Sequence, residues 1–278
     1  MMEDNVYELL APSAELMPLL EDWRQAGMRL AAHARPACEA VSLARLDASG
    51  FVDVLAHFAS MRRGLAPTRE DALEDLRLWC SETLGIMAPH DAAELFSRTL
   101  VEHPLERLWR RVTTPATAAE LCRADLGRGW SGFAGERPRQ EQERLLRLRR
   151  FCDRFRGTSA SLQLKAPMLL DAAFCLKAFD MLELLDEGRC ARARERVALE
   201  LVVRHEDWSA FARAILFADT FDALQSGDEV AARRALRRSL ADVEALLELA
   251  VARRPWQRVA GESFPPVCTS RGHTRVGL

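Results

Sequence analysis

Few residues in this chain could carry chemistry. Asp171 is the first, a carboxylate inside the apolar stretch LLDAAFCLKAFD, where a buried charge demands a partner. It serves either as a site acid or, the favoured reading, as a paired structural Asp near a helix N-terminus. His205-Glu206-Asp207 sets an imidazole beside two carboxylates, the components of an acid–base or metal site. The triplet also falls between two helical segments, where a turn and an N-cap account for it more simply. The candidate catalytic residues are therefore Asp171, His205 and Glu206. Glu102-His103 before Pro104 is likewise read as a turn. The six histidines occur singly, without H-x-x-x-H or H-E-x-x-H spacing, and the seven cysteines include no C-x-x-C pair. Neither a metal site nor a disulfide framework is expected, and no cofactor. Gly127–Gly132 matches G-x-G-x-x-G, but residues 116–126 before it read as a helix and Pro138 delays the next one. The fingerprint needs a strand, a turn and a helix, so this is a loop. No G-x-S-x-G elbow, Walker loop or paired acidic helix motif is present.

Binding chemistry is better represented. Arg137–Arg156 contains eight arginines, whose guanidinium groups can grip carboxylates or phosphates in pairs of hydrogen bonds. A sequence pI near 6.3 and few interleaved aromatics favour a solvated face or a protein dock over nucleic acid. Arg and Trp dominate binding hot spots, so Arg147, Arg150 and Arg154, with Trp130 in the glycine-rich loop, are the expected partner-binding residues. The acidic N-terminus (Glu3, Asp4, Glu8, Glu15, Glu21, Asp22), with no basic residue before Arg24, is a possible intramolecular counterpart.

The elements that must position these groups are helices. Pro, Gly and capping residues divide the chain into about ten segments with apolar residues three and four apart, and no strand alternation is convincing. Leu19, Leu20, Trp23, Gly27, Leu30 and Ala31 make the first stripe, with Pro18 opening that helix. Short helices are expected at 37–46 and 51–62. Thr68 with Asp71 caps a helix carrying Leu73, Leu76, Cys80 and Leu84, and His90 or Asp91 opens the next. Residues 139–156 place Leu145, Leu148, Phe151, Cys152 and Phe155 opposite Arg147, Arg150 and Arg154. Residues 168–186 are apolar nearly all round, as a helix enclosed by others must be. Gly188 is read as the cap ending that helix, Asp207 as an N-cap, and Ser226 with Glu229 as a capping box for the last long helix. The expected fold is all-α, an irregular bundle of about ten helices around a buried central helix, 168–186. Its organisation reads as helical subdomains 1–126 and 139–256, a Gly-rich loop 127–138 and a flexible tail 257–278, or as one continuous domain.

With 278 residues, 49% apolar and 29% charged, and a net charge of −2, the composition is that of a globular protein. The acidic start lacks signal-peptide order, and no apolar run approaches the roughly 20 residues that span a bilayer. Free cysteines and arginine-rich composition fit a bacterial cytoplasm.

Asp171 in its apolar helix, then Trp208, Phe211, Ala212, Arg213, Ala214 and Leu216, then RRPWQRV around Pro255 and Trp256, resemble the bacterial family called domain of unknown function 1266. The resemblance covers about a third of the chain and implies a helical domain with no established activity. The expected function is a non-enzymatic protein-interaction module of adaptor, chaperone or immunity type, partner identity and oligomeric state open. The alternatives are an enzyme around Asp171 and a nucleic-acid binder through 139–156.

Overall fold

Proline and aspartate punctuate the helices much as their chemistry requires. The computed structural model describes residues 16–33, 38–41, 46–64, 70–99, 104–114, 136–155, 164–226, 228–253 and 257–259. Among these residues lie ten α-helices: α1 Leu16–Ala31, α2 Ala48–Arg63, α3 Glu70–Leu78, α4 Pro89–Thr99, α5 Pro104–Thr113, α6 Glu136–Asp153, α7 Ala166–Met181, α8 Glu187–Arg204, α9 Trp208–Ser226 and α10 Glu229–Arg253. The fold is an all-α multi-helix bundle. Helix α3 runs on into a π turn, Trp79–Thr83.

Caps show why the helices start where they do. The Asp47, Asp186 and Asp207 carboxylates accept from the backbone N–H groups of Gly50, Arg189 and Ala210, opening α2, α8 and α9. Asp91 reaches back to the N–H groups of Met87 and Ala88, so α4 opens at Pro89. Helix α10 is capped by Asp228, which accepts from Ala231. Ser226 was the expected cap, but its hydroxyl donates to the Asp222 and Ala223 carbonyls in the last turn of α9. A second correction concerns Gly188. It lies inside the first turn of α8, because α7 ends at Met181 and Glu183 takes the left-handed conformation at φ 55°. Pro138 lies inside the first turn of α6, where no N–H is needed for the helical ladder. Thr68 and Gly127–Gly135 fall outside the described residues.

Helices α7 and α9 are buried nearly all round. Helix α2 packs on α7, α8 and α10; α1 packs on α9 and α10; α5 packs on α6, and α6 on α9. One buried cluster extends from Leu16 to Leu247, so helices on both sides of 127–138 share a core. Trp23, Trp109, Phe151, Phe155, Phe217 and Phe221 form one aromatic group within it, with contacting ring centroids 4.9–6.5 Å apart. A helix was expected at 37–46 and a tail from 257. Instead Cys38–Val41 and Gln257–Val259 pair as two short parallel strands. A stretch of about ten residues is too short for a stable isolated helix, and pairing with Gln257–Val259 decides the backbone of Cys38–Val41.

Candidate functional site

Asp171 does not sit sealed in the core. Its carboxylate is 43% exposed and forms an ion pair with Arg63. The pair faces a cleft of about 300 Å³ where the last turn of α2 (Ala59, Arg62, Arg63) meets the first turns of α7 (Pro167, Leu170, Asp171) and Asp219 of α9. The Arg63 guanidinium lies 4.5 Å from the centroid of the Phe174 ring and donates to the Ala59 carbonyl at 3.3 Å. Arg62 donates to Asp219 at 2.6 Å, and its Nε is 3.6 Å from Asp242 of α10. The Ser239 hydroxyl also donates to Asp219, at 2.5 Å. Burial pushes the Asp219 carboxyl above its usual range, and Asp242 adds to this. Arg62 and Ser239 pull the other way.

The structure does not bring the other candidate catalytic residues to this cleft. His205 caps the end of α8, only 5% exposed, its ring edge-on to Phe211 at 5.1 Å. Burial, with Arg204 beside it, holds the imidazole down at about 3. A ring that stays neutral at working pH and is enclosed by protein does not exchange protons with a substrate. Glu206 is exposed at the turn that follows. Among the described residues no three His, Cys, Asp or Glu side chains are grouped so as to hold a metal ion. Cys80, Cys152, Cys175 and Cys190 are buried free thiols. Desolvation raises all four, Cys175 to about 12, which leaves them unreactive.

The arginines of α6 divide unexpectedly. Arg147 pairs with Glu229 at 3.3 Å and Arg144 with Glu141 at 2.6 Å. Arg150 is half-buried and Arg154 exposed. Arg149, which the sequence reading passed over, is 4% exposed and bonds both Asp153 and the Val112 carbonyl at 2.9 Å. Trp130 lies outside the described residues. The acidic N-terminus was a possible counterpart of these arginines. Its two described members pair elsewhere, Glu21 with Arg24 and Asp22 with Arg233 and Arg237 of α10.

A second concavity is apolar. The π turn brings Trp79 edge-on to Phe174, ring centroids 4.8 Å apart, and leaves Leu78 facing out. Gly85, at φ 67°, then reverses the chain, and the Ile86 N–H donates to the Cys80 carbonyl. The result is an open groove of about 680 Å³, lined by Leu73, Leu78, Ile86 and Met87 from this segment and by Leu182 and Leu184 from the end of α7 onward. Glu74 and Arg77 stand at its edge. Met87 is 79% exposed, the most exposed of the large apolar side chains among the described residues.

No family model matches the chain, and no curated protein or solved structure matches it either. The reading of these sites rests on their geometry. Sequence reasoning missed Arg62, Arg63 and Asp219 in the cleft. The signal was present, because Asp219 follows the apolar run AILFA and needs a partner for the same reason as Asp171. The groove left no such signal, since its walls come from segments about a hundred residues apart.

Proposed function

We propose that the chain is a non-enzymatic protein-interaction module, of adaptor, chaperone or immunity type, that seats the apolar face of a partner helix in the groove beside the π turn. One observation carries the reading: Met87 and Leu78, two large apolar side chains held in water, wall the same groove. Isolated exposed apolar residues are ordinary, whereas several lining one concavity mark a binding surface. Methionine adapts its unbranched chain to varied apolar partners, and π turns inside helices are frequent at functional sites. Glu74 and Arg77 at the edge would fix the register of an amphipathic helix laid along the groove. Arg154, with Arg147 and Arg150 behind it, is the competing docking face of the same function.

The buried free thiols fit a reducing bacterial cytoplasm. No helix among the described residues is long and apolar enough to cross a membrane. Membership of the domain of unknown function 1266 family belongs to this proposal and would bring no catalytic residue.

The test is selection of helical peptides from a displayed library against the whole chain. Peptides carrying an apolar stripe are expected to bind, to lose about tenfold or more in affinity with Met87→Asp or Leu78→Asp, and to tolerate Arg147, Arg150 and Arg154 all changed to Glu. Loss of binding in the triple variant alone moves the dock to α6. Peptides indifferent to both sets of changes contradict the proposal.

A further inference from the structure

We infer that the cleft between the end of α2 and the start of α7 binds a small zwitterion bearing an ammonium and a carboxylate, the chemistry of a free α-amino acid. At about 300 Å³ the cleft lies at the small end of ligand sites and is far too small for a nucleotide or a peptide helix. Its walls offer charge of both signs with bonding capacity unspent. Arg63 uses one terminal nitrogen on the Ala59 carbonyl and the other on one oxygen of Asp171. Among the described residues its Nε–H and the second oxygen of Asp171 have no hydrogen-bond partner. Arg62 likewise uses one terminal nitrogen on Asp219 and leaves further N–H groups for a ligand. A carboxylate can bridge the two neighbouring guanidinium groups while an ammonium takes the open oxygen of Asp171, leaving the existing ion pair intact.

The mixed charge excludes simpler ligands. An anion alone would approach Asp171, Asp219 and Asp242, and a cation alone would face Arg62 and Arg63. Only a ligand with both charges pairs each wall without stranding the other. The site is also held ready. Arg63 is fixed between the Phe174 ring and the Ala59 carbonyl, and Arg62 between Asp219 and Asp242, so little side-chain freedom is lost on binding.

The inference is independent of the groove and is tested separately, by calorimetry and two-dimensional NMR on the whole chain. The probes are the neutral L-amino acids and glycine, with acetate and methylammonium as single-charge controls. At least one amino acid is expected to bind about tenfold more tightly than either control. Arg63→Gln and Asp171→Asn should each weaken it about tenfold or more, with thermal unfolding little changed. Asp171→Asn, partly exposed and nearly equal in size, keeps the test valid should Arg63→Gln misfold. Met87→Asp should leave binding as it was. No binding of any neutral amino acid at about 10 mM, acetate or methylammonium binding as tightly as the amino acid, or binding that survives Asp171→Asn would each overturn the inference.

Discussion

His205 enters the folded protein uncharged, and that choice has a pH signature. Burial holds its pKa down at about 3, against roughly 6.5 in the unfolded chain. Below pH 6.5 the unfolded state therefore takes up a proton that the folded state refuses. The contribution is fully present above 6.5 and is lost at about 1.4 kcal/mol per pH unit as pH falls towards 3. Urea unfolding at pH 7 and pH 5 should show the wild type losing about 2 kcal/mol more than His205→Leu. Equal losses would mean the ring is solvated. Glu183 is the second singular residue, the only non-glycine among the described residues at positive φ. Left-handed backbone costs an L-residue about 1 kcal/mol. Glu183→Gly should therefore unfold at equal or higher urea despite the looser unfolded chain, and Glu183→Val should lose more than about 1 kcal/mol. Neither feature was legible in the sequence. His205 and Gly188 were visible there, but whether an imidazole is enclosed, and which residue turns left-handed, depends on where neighbouring helices stop.

At the scale of the element, α6 shows how far periodicity reads and where it needs care. Its apolar side (Leu145, Leu148, Phe151, Cys152) is buried as the spacing predicts, and Phe155 just beyond the helix packs against the same core. Arg147, Arg150 and Arg154 were placed on the wet face and Arg149 was passed over, although it lies four residues after Leu145 and three before Cys152, on the buried stripe. Its guanidinium ties α6 to the last turn of α5 through Val112. Arg149→Met should cost about 1–3 kcal/mol by leaving the Val112 carbonyl without its guanidinium donor, and Arg154→Ala should stay within about 0.5 kcal/mol. Chemical denaturation of the two variants checks this, and equal costs would contradict the assignment. Helix α7 was legible as a central helix because it is apolar all round. Helix α9 has the same character, and Phe217, at the centre of the aromatic cluster, marks it as a second core helix. Phe217→Ala is expected to cost about 3–5 kcal/mol in the same experiment, and a cost near that of Arg154→Ala would show the cluster to be loosely packed.

For the molecule as a whole, the fold class was legible from spacing alone, since helical stripes repeat along the chain. The concavities were not. Each is built where helices distant in sequence meet: Arg63 with Asp171 in the cleft, Met87 with Leu184 at the groove. The cleft and the groove share no lining residue, and they offer opposite chemistries on one bundle, paired charge in the first and bare apolar surface in the second. The central claim is that the groove is the docking surface. The most direct measurement places a photo-crosslinking amino acid at position 87 and, separately, at position 154, and compares adducts with the selected helical peptide at saturating concentration. A peptide adduct at 87 with little at 154 is the expected result; an adduct at 154 with none at 87 would contradict the account and move docking to the arginine face of α6.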